Sequence, residues 1–115
     1  MTFQSRTREF LARHNLAHTP QIHALDLVAE VGEVAKALLE ASEYGRSPLE
    51  GDEALAEELG DAFFSLIALA ESLDVDLEVA FAQALTKYEG RLAARGHPGS
   101  QATHPEASKE PNDRT

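Results

Sequence analysis

The sequence predicts an all-α protein, a four-helix bundle-like domain over residues 1–96 followed by a disordered tail over residues 97–115. Three observations carry that expectation. Apolar residues recur at helical spacing in four stretches, each bounded by capping or breaking residues. No stretch reads as a convincing strand. The last segment, HPGSQATHPEASKEPNDRT, has three prolines and no large apolar residue, so burial cannot offset the entropy of ordering it.

The first helix is expected from Phe3 to His14, with Phe3, Phe10, Leu11 and Leu16 on its apolar side. AHTPQ opens the second: Thr19 suits the N-cap, and Pro20 the first helical position, where an N–H has no partner anyway. Its end is expected near EYGRS, where Gly45 is a natural C-cap. SPLE (Ser47 to Glu50) has capping-box spacing, and opens either a short helical turn or the third helix, expected over Glu53 to Leu73. DVD interrupts the chain, and Asp76 caps a fourth helix that ends at Gly96.

In the third helix only Gly60, Asp61 and Ser65 interrupt the apolar residues between Leu59 and Ala70. Such a helix is buried on several sides. A second copy covers it more readily than three short helices do, so a homodimer or homotetramer built around it is expected. A chain of 115 residues is one domain with a modest core, which association helps to stabilise.

Composition closes several routes. Without cysteine there is no disulfide, thiolate ligand or thiol nucleophile. MTFQSRTREFLARHN is charged throughout, unlike a secretory signal, and the longest apolar run is far short of a membrane span. A cytoplasmic protein is the expectation. The formal charge of −10 argues against general affinity for nucleic acid, which rests on cationic contacts to phosphate. Between Ser47 and Thr86 there are ten acids and no Lys, Arg or His.

Two acid pairs stand out. Glu30 and Glu33 flank a glycine in EVGE on the second helix, and Glu58 and Asp61 flank another in ELGD on the third. Packed antiparallel, the two helices direct four carboxylates into one space, where they repel unless some protonate or a cation joins them. A hard cation such as Mg²⁺ takes oxygen ligands and commonly shares carboxylates with substrate phosphates. Each glycine leaves room for a close helix approach or for a bulky ligand. The plainer reading is a solvated face, since Asp26, Glu30, Glu33 and Glu40 also mark one stripe of an amphipathic helix, and Glu40 and Glu43 repeat the ExxE spacing. The conjunction of two pairs on consecutive helices favours a site. Asp61 adds weight, because an acid without a role is costly in so apolar a helix.

AEVGEVAKALLE, followed after a linker by AEELGDAFFSLIALAESLDVDLEVAF, resembles the MazG family of all-α nucleoside triphosphate pyrophosphohydrolases over about Phe3 to Arg95. Glu30 and Glu33 match that family's ExxE pair, and Glu58 and Asp61 its ExxD pair. The resemblance implies a bundle of short helices that dimerises or forms a dimer of dimers. It implies Mg²⁺, with Mn²⁺ as a substitute, held by those four acids. The substrate is then a nucleoside triphosphate cleaved between its α- and β-phosphates, and Glu30 or Glu33 takes the proton of the attacking water. A phosphoribosyl-ATP pyrophosphohydrolase is an alternative, but such relatives show Tyr-His where this chain has Phe64 and Ser65. Relatives preferring dCTP or dUTP often carry asparagine where Arg91 stands, and there is no tryptophan to stack a base.

The fourth helix adds cations. LTKYEGRLAARG places Lys87 and Arg91 one turn apart, with Tyr88 beside them and Arg95 a turn further. They suit triphosphate contact, and the family has a similar K-x-x-x-R arrangement; equally, they suit the carbonyl end of the helix. His14 and His18 have i, i+4 spacing, but His18 falls in a proline-terminated connection, so zinc is not expected. A rival from another class is a non-catalytic acidic helical module that binds a protein partner; it leaves the matched acid pairs without a reason.

Overall fold

Four helices run through the described chain in the order α1 (Phe3–Arg13), α2 (Pro20–Ala41), α3 (Glu53–Ser72) and α4 (Leu77–Arg95), and no strand occurs among the described residues. The structure is a computed structural model that describes residues 1–49 and 53–99. Glu50, which ends SPLE, and residues 100–115 of the expected tail lie outside them. Two units divide the chain, one of Met1–Leu77 and one beginning at Glu78.

In the first unit α1 starts on a capping box. The Thr2 hydroxyl accepts from the Ser5 amide at 2.9 Å, and the Ser5 hydroxyl accepts from the Thr2 amide at 2.9 Å. Two otherwise orphaned donors are thereby satisfied. Thr19 has the extended backbone of an N-cap before Pro20, though its side chain makes no capping bond. The connection between α1 and α2 is pinned by a residue the sequence did not single out. His23 is 4% exposed, and its Nε2 accepts the His18 amide at 3.0 Å.

α2 ends at Ala41, earlier than Gly45 suggested. Ser42 explains the difference. Its hydroxyl donates to the Leu38 carbonyl at 2.9 Å and accepts from the Gly45 amide at 3.1 Å, drawing the backbone out of the helix. Glu43, Tyr44 and Gly45 then follow with φ of 51°, 59° and 87°.

α3 packs against α2 and α1. Leu11, Ile67, Ala68 and Ala70 are the buried apolar residues among those described, while Leu59, Phe63, Phe64 and Leu66 stay exposed. Within one chain, the apolar surface of α3 is therefore covered mainly over its C-terminal half.

A polar latch ties α1 to the end of α3. Gln4 Nε2 donates to Glu71 Oε2 at 2.8 Å and to the Val75 carbonyl at 2.9 Å, and Gln4 Oε1 accepts the Leu77 amide at 2.7 Å. That amide opens α4 and has no partner within the helix. Arg8 Nε adds an ion pair to Glu71 Oε1 at 2.8 Å. The Arg8 hydrogen bond, with help from Gln4, holds the Glu71 carboxyl below its ordinary value against a smaller opposing effect of burial. Because the folded value is depressed, this stabilisation is present above the unfolded value of about 4.3 and is lost as pH falls through the folded one. Glu71→Ala is expected to cost about 1–3 kcal/mol at neutral pH. Denaturant melts of both proteins should also converge below about pH 4; a constant difference down to pH 2 would contradict the latch.

The second unit consists of α4 from Glu78 and the segment after it. Gly96, at φ 82°, ends the helix, and its amide donates to the Leu92 carbonyl at 2.9 Å.

Candidate metal centre

Glu58 and Asp61 are i and i+3 on α3, so their side chains are neighbours on one helix surface. Glu30 reaches them from α2. One carboxylate oxygen from each of the three lies within 4.8 Å of the others. Glu30 and Glu58 are half-buried and Asp61 is exposed. Glu33 stands outside this threesome and is exposed, yet its charge acts on Glu58.

Glu58 registers the strain of the arrangement. Partial burial first, then the charges of Asp61, Glu33, Glu30 and Glu57, push its carboxyl above the ordinary value. All of those charges are acids. Oxygens bound to one octahedral Mg²⁺ lie about 3–4 Å apart, close to the spacing of these three. The donors are hard oxygens throughout, which suits Mg²⁺ or Mn²⁺ and not a thiolate-seeking ion. The residues fit the cation.

The glycines beside the acids have a narrower meaning than the sequence allowed. A Cβ built at Gly32 or Gly60 would meet nothing within 4 Å, so neither serves a close approach of helices. They leave open space beside the carboxylates.

A stability profile follows from Glu58. Its folded value is raised, so its contribution is full below the unfolded value and is lost as pH rises through the folded one. Without divalent metal, stability is expected to increase as pH is lowered from neutral toward the ordinary carboxylate range, before loss of the Glu71 latch reverses the trend. Mg²⁺ should flatten that rise by favouring the ionised carboxylates. A Glu58→Gln chain melting with the wild-type pH profile would contradict this assignment.

The other sequence candidates lie on α4, in the second unit. Lys87 Nζ sits 5.3 Å from the centroid of the Tyr88 ring. Arg91 Nη1 donates to the Pro98 carbonyl at 3.1 Å, and Arg95 Nη2 to the Gly99 carbonyl at 3.0 Å. Both guanidinium groups thus engage carbonyls just past the helix end, as cations there commonly do. The His14 ring packs on Phe10 at 4.6 Å between centroids, and Ser65 is buried.

The MazG nucleotide pyrophosphohydrolase domain matches residues 18–95. That span takes in α2, α3, α4 and all four acids, and leaves out α1, which the sequence resemblance had included. Among curated proteins, the uncharacterized protein YpjD of Bacillus subtilis (strain 168) is 38% identical over 68 residues. The similarity covers 56% of this chain and 60% of that protein, so the chain spans about three fifths of its relative's length. No solved structure matches.

Proposed function

The chain belongs to the MazG nucleotide pyrophosphohydrolase family, and from that premise we propose that it hydrolyses a nucleoside triphosphate to the monophosphate and pyrophosphate with Mg²⁺. The observation that carries this reading is the convergence of Glu30, Glu58 and Asp61 from two helices, with the Glu58 carboxyl raised by partial burial and by the neighbouring acids. A protein-binding acidic module gives no reason to build such a site.

Glu30, Glu58 and Asp61 would hold the metal, with Glu33 completing the set of acids. When bound, Mg²⁺ neutralises phosphate charge and polarises the phosphorus under attack. The oxygen of water attacks the α-phosphorus, the bond from that phosphorus to the bridging oxygen breaks, and pyrophosphate leaves with the bonding pair. One carboxylate of the cluster, Glu30 or Glu33, takes the proton released by the water. Lys87 and Arg91, with Tyr88 beside them, contribute to holding the substrate. Residues 1–96 carry the activity in this reading, and residues 97–115 are dispensable for it.

The protein works in the cytoplasm as a homodimer or homotetramer. The small core and the exposed Leu59 and Leu66 of α3, which lie outside the aromatic face toward α1, support association. Sedimentation at micromolar concentration is expected to give at least a dimer; a folded monomer would contradict it. For the activity itself, the chain should be incubated with canonical and damaged nucleoside triphosphates and Mg²⁺. Monophosphate and pyrophosphate in equal amounts are expected, and no turnover of any triphosphate would refute the reading.

A further inference from the structure

A trough of about 600 Å³ lies between α1 and α3, within the first unit. Its size falls in the range of small-molecule sites. Along α1 it is lined by Phe3, Arg6, Phe10 and Arg13, which at spacings of three, four and three share one helix face. From α3 come Phe63 and Phe64, set edge-on against Phe3 and Phe10 with centroids 5.2 and 5.8 Å apart.

Two features of this trough call for a ligand. The first is charge. In a chain of net charge −10, it gathers two arginines against one acid, Glu9. Neither the Arg6 nor the Arg13 side chain makes a hydrogen bond or ion pair among the described residues. Unpaired guanidinium groups and aromatic rings lining one trough suit a planar, anionic molecule. The second is nearness to the carboxylates along α3. Gly60 belongs to the trough wall, and a side chain there would meet only open space. Asp61 follows it directly, and Phe64 is one turn from Asp61 and so its neighbour on the helix surface. A ligand reaching the carboxylates thus finds aromatic rings one helical turn away.

We propose that this trough holds the substrate of the reaction put forward above, its base against the exposed phenylalanine rings and its phosphates contacted by Arg6 and Arg13. The inference rests on that reaction, and it adds residues of α1, which precedes the span that matches the family. Among the described residues, no amide side chain lines the trough to read the edge of a base. Stacking is tolerant because every base has a π-face. Recognition therefore discriminates weakly among bases.

The test is equilibrium binding to the full chain, with Mg²⁺, of each of the four deoxynucleoside triphosphates and of inorganic tripolyphosphate. Turnover is measured in parallel. Arg6→Gln/Arg13→Gln is the first variant; both side chains are exposed and free, so its melting temperature should match wild type. It is expected to weaken nucleotides and tripolyphosphate alike by at least about tenfold. Phe10→Leu is the second, expected to weaken the four nucleotides similarly and to spare tripolyphosphate. Nucleotide binding within twofold of wild type in the arginine variant overturns the trough; if the wild type still hydrolyses nucleotides, the proposed function survives. Binding that depends on the two arginines without any turnover sustains the trough and refutes the activity. A wild type that neither binds nor hydrolyses nucleotides overturns both.

Discussion

Asp61→Asn should remove nearly all turnover and leave the helical fold intact. Asp61 is exposed and accounts for little packing, so the side chain is nearly isosteric in place and the helix loses nothing. What disappears is one of three convergent carboxylates. Changing a residue that merely supports a metal ligand commonly lowers affinity or activity 10–100-fold, so loss of a ligand itself should lower kcat/KM by at least about a hundredfold. The same variant removes a charge that pushes up the Glu58 carboxyl. Its melting temperature without metal should therefore equal or exceed that of wild type. The pairing of lost activity with retained or improved stability separates a functional acid from a structural one. Near-normal turnover in Asp61→Asn and in Glu33→Ala would refute the four-carboxylate site.

Millimolar Mg²⁺ should stabilise the protein substantially. A ligand that binds only the native state stabilises it by RT ln(1 + [L]/Kd), about 2.7 kcal/mol at a hundred times the dissociation constant. For a domain of this size, each kcal/mol raises the melting temperature by roughly 4–8 °C. With a dissociation constant of about 0.1 mM, 10 mM Mg²⁺ should raise the melting temperature by roughly 10–20 °C. Salt alone screens repulsion among the acids, so NaCl at matched ionic strength is the control. Asp61→Asn should lose most of the Mg²⁺-specific part. A shift no larger than that given by NaCl would mean that the acids form a solvated face.

Much of the fold was legible because the signals were local. Pro20 after Thr19, the DVD break and Gly96 each mark a boundary through their own backbone chemistry. The end of α2 was misjudged because two signals competed, and the nearer one, the Ser42 hydroxyl, took the backbone before Gly45 was reached. His23 was missed because nothing in its spacing shows that its ring turns back to the His18 amide. For the site, helical spacing was enough to place Glu58 and Asp61 together. It could not show that Glu30 closes the threesome while Glu33 stands outside, since that depends on how α2 rolls against α3. The two free arginines of α1 gave no signal either, because Arg6 and Arg13 become neighbours of Phe63 and Phe64 only through tertiary packing.

The most direct test is hydrolysis in ¹⁸O-labelled water. A deoxynucleoside triphosphate is incubated with the chain and Mg²⁺, and both products are analysed by mass. Attack of water on the α-phosphorus puts one labelled oxygen in the monophosphate and leaves pyrophosphate unlabelled. Label in the pyrophosphate would place the attack on the β-phosphorus, and release of nucleoside diphosphate with inorganic phosphate would place the cleavage at the wrong bond; either result would contradict the proposed reaction.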